Sequence, residues 1–375
     1  MNRRVLAVSA ARFVDSMGGG MAYFTLPILI ANMGINGLPV DFVSGAVISV
    51  WGLFATLSQP AAGVTLSKVG KPRIFLITSL LATSVLIYLY PFASGILGLV
   101  ALRAGLGIVE SFLMVSSLVL VVHFSGKKKG EAFGIYNTLT DLGFSISPVL
   151  AGLLVATGLG VVFTSASLLV LMSAIVIYLI VEDVEGVHSR WEEGGSFRAF
   201  RGLKREIYAV SLSLASVMAV LSSIVPLENS FLERLSVTPF EFGVAFSAYL
   251  FTRTLFNTPA GIISDRIGSS RIFVLSIMAF SATAVLLTLP DFSFFFALRL
   301  LQGVVAALIF TSSASFIAER CEKSAAIAMS VMSASITAGL TAGPLISGFL
   351  SGFYGFEVPF ILLAILTLIP LLLLR

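Results

Sequence analysis

The chain has 375 residues, 57% of them hydrophobic and only 11% charged, with a net charge of +4 and a mean hydropathy of +1.04. A soluble domain carries about 25% charged residues, so an ordinary water-soluble fold is excluded. Cys321 is the only cysteine, and His123 and His188 are the only histidines, which excludes an internal disulfide framework and a histidine-rich metal site.

The apolar residues fall in runs, each near the ~20 residues that a helix needs to cross the hydrocarbon layer. In chain order they predict helices over 5–31, 42–66, 73–92, 96–123, 131–157 and 159–181. The first begins directly after Met1-Asn-Arg-Arg and lacks a small-residue cleavage site, so a retained helix is expected rather than a removed signal. A charged stretch, 182–206, follows the sixth helix. Its Gly194-Gly195 pair suggests a tether, and Phe197 and Phe200 leave an amphipathic surface helix open. Further helices are predicted over 207–227, 240–263, 272–289, 293–318, 326–351 and 356–374. The expected fold class is an all-α integral membrane protein of about twelve transmembrane helices. Two six-helix bundles, 1–181 and 207–375, are joined by the cytoplasmic linker 182–206.

The basic pI of 9.3 raises the question of nucleic acid. Lys and Arg instead sit in the short gaps between apolar runs, and no basic face interleaved with aromatics is present. With the N-terminus inside, 18 of the 23 basic residues fall on the cytoplasmic side and only Arg234 outside. That asymmetry predicts both termini in the cytoplasm, in a multi-pass protein of the cell membrane. The lipid bilayer is the expected partner, no nucleic acid is, and the chain is expected to act as a monomer.

The two halves share spaced residues. Arg103 and Gly107 match Arg299 and Gly303 at an offset of 196, and Gly143, Pro148 and Gly152 match Gly339, Pro344 and Gly348 at the same offset. Gly63 and Gly70 match Gly261 and Gly268 at 198. Parallel repeats of this kind place a solute pathway between the halves, near the bilayer midplane.

After the eighth helix the sequence reads Gly261-Ile-Ile-Ser-Asp265-Arg266-Ile-Gly268-Ser-Ser-Arg271. This resembles the G-x-x-x-D-R-x-G loop signature of the major facilitator superfamily. The equivalent stretch, Gly63 to Ser67, Lys68, Gly70, Lys71 and Arg73, keeps the glycines and the basic residues but has Ser67 in place of the acid. The resemblance implies that this loop latches one state of a transport cycle. A serine can cap a helix but brings no charge. Arg103 and Arg299 sit in R-x-x-x-G stretches that are also similar to the family's. Gly134 to Gly143, Ser147-Pro148 and Gly152 resemble the antiporter motif with two glycines replaced, while Gly339, Gly343-Pro344 and Gly348 give a fuller form. Close helix packing explains the same glycines without any bearing on transport direction.

Counting ~1.5 Å per helical residue, Asp15, Glu110 and Asp141 all fall near mid-membrane in the first half. Arg103 lies two turns from Glu110 and Arg12 one turn from Asp15. A carboxylate in a low-dielectric cavity resists ionisation and a nearby arginine opposes that, so such a set can load and lose a proton. A static network joining helices 1, 4 and 5 uses the same residues. In the second half the central charge is Arg253, suited to an anionic substrate or to pairing with an acid.

The leading reading is a secondary active transporter exporting small organic compounds against protons. Transport of an organic anion or sugar, with Arg253 at the site, is the alternative. A membrane receptor or scaffold that no longer transports is the alternative of another class. No nucleophile–base pair, metal cluster or phosphate loop points to an enzyme or to a cofactor.

Overall fold

A computed structural model describes residues 3–35, 37–126, 128–182, 184, 205–320 and 325–374. His188, Cys321 and nearly all of the predicted linker lie outside the described residues. The first half forms α1 (Arg3–Asn32), α2 (Val40–Val69), α3 (Pro72–Tyr88), α4 (Gly95–Ser125), α5 (Lys129–Val155) and α6 (Leu159–Ile180). The second forms α7 (Arg205–Ser222), α8 (Glu228–Leu235), α9 (Pro239–Ile267), α10 (Ser269–Leu286), α11 (Phe292–Arg320), α12 (Ala325–Tyr354) and α13 (Val358–Leu368). Short 3-10 turns follow α3 and α13. Hydrocarbon offers backbone N–H and C=O groups no partner, so apolar runs of this length close their hydrogen bonds internally as helices. Among the described residues nine helices are long and apolar enough to cross a membrane, and α3 and α13 are shorter apolar helices.

The seventh predicted helix is interrupted, because α7 stops at Ser222 and α8 starts at Glu228. Pro226 lacks the N–H that would bond the Ser222 carbonyl. The Ser222 and Ser223 hydroxyls both turn back onto the Ala219 carbonyl, at 3.2 and 2.6 Å. Side chains that bond the backbone three or four residues back bend a helix, and a proline just beyond prevents it from recovering.

Two compact units result. One comprises Met1–Gly34, Val50–Glu192 and Thr238–Ser247, the other Ile35–Ser49, Glu193–Val237 and Ala248–Arg375. The first turns of α2 therefore pack within the second unit, and the first turns of α9 within the first. In the first unit α1 packs on α5 and α6, and α3 on α4 and α6; in the second α7 packs on α12 and α13, and α10 on α11 and α13.

Glycine sets the helix crossings. A Cβ at Gly143 of α5 would collide with the Phe13 carbonyl of α1, and one at Gly339 of α12 with the Ala215 carbonyl of α7. In the first unit, Gly152 lies on the Pro239 carbonyl and Gly243 on that of Pro148; in the second, Gly348 lies on the Asp41 carbonyl and Gly45 on that of Pro344. Small residues let helix backbones touch, and in lipid that contact replaces the missing hydrophobic drive.

Candidate functional site

The signature predicted as a loop lies mostly on the last two turns of α2 and of α9, with only its final glycine outside. Nothing from Gly63 to Val69 or from Gly261 to Ile267 prevents a helix. Gly70 and Gly268 end the helices with φ of +69° and +105°, a backbone conformation that glycine adopts without strain. Their N–H groups donate to the Leu66 and Ser264 carbonyls, at 2.8 and 2.9 Å. The Ser67 hydroxyl donates to the Val64 carbonyl of its own helix at 2.9 Å. Asp265, Arg266 and Lys71 are exposed.

The antiporter-like glycines are packing residues in this structure. Ser147, where the family has glycine, sits against Gly20 of α1; the corresponding Gly343 sits against the Ser222 hydroxyl of α7. The small residue has changed sides of the interface, so the space is kept although the motif is not. Ser147 also donates to the Phe144 carbonyl at 2.7 Å, the acceptor that Pro148, lacking an N–H, leaves unused.

The predicted ionisable residues fall into two places. In the first unit, Arg12 forms an ion pair with Asp15 three residues on along α1, both side chains largely buried at 13% and 8% exposure. Arg12 also interacts with Tyr136 of α5, whose hydroxyl lies 2.8 Å from that of Ser117 on α4. Glu110 of α4 accepts a 2.8 Å hydrogen bond from the Trp51 indole N–H on α2. The guanidinium of Arg103, a buried residue, stands 5.8 Å from the centre of the Trp51 ring. Gly107, one turn before Glu110, lies against the Trp51 carbonyl, so α4 and α2 touch at this level. Asp141 is half-buried on α5, two residues before the Gly143 that meets Phe13, and so stands at the level of Arg12 and Asp15.

In the second unit the same crossing recurs with a different polar set. Gly303 of α11 lies against the Tyr249 carbonyl of α9, and the fully buried Arg299 holds its guanidinium 4.3 Å from the Tyr249 ring centre. Arg299 donates to the Gln302 amide oxygen at 2.9 Å. The position matching Glu110 at the 196-residue offset is Ala306. Arg253 is half-buried, 5.5 Å from the Phe310 ring centre.

Two functional candidates carry no signal in the sequence. Trp51 reads as one more apolar residue of a span. Asp41 opens α2, yet its buried carboxylate accepts from Ser230 of α8 at 2.8 and 3.0 Å and from Ser351 of α12 at 2.6 Å. A pairing offset of 198 places Pro239 at its counterpart, so the acid of this polar clasp is not repeated there. A Trp hidden in an apolar run and an Asp at a helix start have no spacing that could mark them.

The family model described as "Major Facilitator Superfamily" matches residues 8–231 and 209–375, nearly the whole chain. The chain belongs to the major facilitator superfamily. Among its curated relatives, the multidrug resistance protein MdtG of Rahnella sp. is 28% identical over 274 residues, covering 71% of this chain and 65% of that protein. MdtG of Proteus mirabilis is 25% identical over 306 residues, covering 79% and 75%. The chain thus spans about two thirds of the length of the first of these relatives. Solved structures of the superfamily share the fold. A bacterial homolog of the human lysosomal transporter Spinster, inward-facing and occupied, superposes with a TM-score of 0.79 at 14% identity, covering 98% of this chain and 95% of that one. The nucleoside transporter NupG does so at 0.78 and 13%, covering 100% and 99%. The expected all-α, multi-pass membrane architecture is therefore found.

Proposed function

We propose that this superfamily member is a secondary active transporter that exports small organic compounds by alternating access, driven by protons. The observation that carries the reading is a set of acids gathered beside arginines at one level of the first unit: buried Asp15 paired to Arg12, and half-buried Glu110 bonded to Trp51. The matching crossing of the second unit has Ala306 in place of Glu110 and the amide of Gln302 beside Arg299. A group that must change charge during a cycle has to be titratable, and a buried carboxyl is among the few side chains able to do so inside a membrane. The MdtG relatives are multidrug resistance proteins, which agrees with small organic substrates.

The test is flux in proteoliposomes with and without an imposed pH gradient. Asp15→Asn, Glu110→Gln and Asp141→Asn are compared singly. At least one should reduce gradient-driven flux to the level seen without a gradient while exchange persists. Gradient-driven flux surviving all three replacements rejects proton coupling at this site. Anion-dependent flux lost on Arg253→Gln would instead favour the organic anion reading. No flux of any kind would favour a receptor or scaffold.

Orientation belongs to the same proposal. The distribution of Lys and Arg supports a cytoplasmic position for both termini. In a Cys321→Ser background, cysteines at Lys128 and Ser196 should label only from the cytoplasm and one at Glu233 only from outside. Labelling of either of the first two from outside breaks the assignment.

A further inference from the structure

Trp51 touches both kinds of charge on α4 at once. Its indole N–H donates to Glu110 Oε2 at 2.8 Å, and its ring face lies 5.8 Å from the Arg103 guanidinium. Glu110 and Arg103 are two helical turns apart on the same helix, and the indole spans the interval between them. The second unit keeps half of this arrangement. Tyr249 and Arg299 form the ring-and-cation contact, and Ala306 stands where the acid would be. The stack on arginine is thus the repeated, structural part, and the indole–carboxylate bond is an addition confined to the first unit.

We propose that Trp51 is the positioning residue for Glu110 in proton-linked transport: its indole holds the Glu110 carboxylate, and protonation of Glu110 weakens that bond and frees the indole. The proposal rests on the proton-coupled reading above and names the device at that same site.

The chemistry is directional. An indole N–H can only donate, and an ionised carboxylate can only accept. A hydrogen bond with an ionised acceptor is about twice as strong as one between neutral groups, so adding a proton removes the charge assistance without moving either backbone. The backbones have little freedom to respond, because Gly107 already lies against the Trp51 carbonyl. The response is confined to the side chains. The groups acting on Glu110 are Arg12 and Asp15 from α1, Arg103 from its own helix, Trp51 from α2 and Tyr90 from the turn after α3, with Tyr136 of α5 reaching Arg12. Asp15 and Arg12 pair with each other, and the indole is the hydrogen-bond donor seen at Glu110.

The chain has two tryptophans, Trp51 and Trp191, so Trp191→Phe makes Trp51 the sole indole fluorophore. In that background the purified protein is titrated in lipid nanodiscs from about pH 4 to about pH 9, the range that brackets shifted carboxyl groups. The Trp51 emission should change in one transition. The transition should vanish in Glu110→Gln and persist in Asp41→Asn. Emission that is independent of pH, or a transition that survives Glu110→Gln, overturns the proposal. Flux gives the second arm. Trp51→Phe keeps a ring over Arg103 but removes the donor, and it should shift the pH profile of gradient-driven flux while substrate exchange continues. A Trp51→Phe profile identical to that of the parent overturns the positioning role even where Glu110→Gln uncouples transport, in which case the proton-coupled reading stands without it. A Glu110-dependent emission change in a protein whose flux ignores the gradient would refute that reading and leave the proton-sensitive indole bond in place, stripping it of a transport role.

Discussion

The crossing of α4 on α2 and the crossing of α11 on α9 are two versions of one construction. Each has a glycine against the carbonyl of an aromatic residue, Gly107 on Trp51 and Gly303 on Tyr249, and each sets a buried arginine against that aromatic ring. They differ in what surrounds the arginine. In the first unit Glu110 bonds the indole and the Arg12–Asp15 pair lies nearby; in the second the arginine meets the neutral amide of Gln302. Repetition preserved the backbone contact and the cation–ring stack, and the acid bonded to the aromatic ring belongs to one copy. Shared features therefore report architecture, and the features present once are the candidates for function.

The comparison can be broken at several levels. The largest effects are expected at the shared contacts. Gly143→Leu and Gly339→Leu each push a side chain into a carbonyl of the neighbouring helix, and both should abolish folded, monodisperse protein on size-exclusion chromatography. Damage from only one of them would show that the two crossings are not equivalent. Next come the arginines. Arg103→Met removes the buried cation that stands with Trp51 beside the half-buried Glu110, and leaving that acid without it should cost up to about 3 kcal/mol, less than breaking a fully buried pair. Arg299→Met leaves a neutral amide behind and should cost markedly less. Thermal unfolding of the purified variants measures both, and equal losses would dissolve the contrast between the units.

The exchanged serine and glycine give a smaller effect. Gly20→Ser sets a second hydroxyl against Ser147 and should destabilise by about 1–3 kcal/mol, as overpacking does. Adding Ser147→Gly, which reproduces the Ser222 and Gly343 arrangement of the other unit, should recover most of that loss. A double variant no more stable than Gly20→Ser alone would refute the exchange. The smallest effect is expected at Ser67. Its hydroxyl bonds a carbonyl of its own helix and brings no charge to the signature, so Ser67→Ala should stay within about 0.5 kcal/mol and leave flux nearly unchanged. Asp265→Asn should slow flux without loss of fold. Equal and severe loss from both changes would show that the first signature still acts as a latch.

Much of the site is legible in the sequence. Arg12, Asp15, Arg103 and Glu110 stand out because a charge inside an apolar run is costly and seldom placed without a partner. The Arg12–Asp15 pair is legible as well, one turn apart on one helix, but the surroundings of Glu110 are not: it shares a helix face with Arg103, yet Trp51 stands between them in the fold. The break between α7 and α8 is hidden too, because an apolar run containing Pro226 reads as a span whether or not it bends.

By itself the sequence determined the membrane environment, the helical class, the approximate helix borders and the repeat. These follow from run length, polarity and spacing, which are properties of neighbouring residues in one chain. Only the tertiary structure decided that Gly20 compensates Ser147, that Asp41 is clasped by Ser230 and Ser351, and that an indole joins Glu110 to Arg103. Each depends on which faces of separate helices meet and at what height, and an apolar helix in lipid has many faces of nearly equal hydrophobicity. Close backbone contacts at a few glycines choose among them, and no local pattern records that choice.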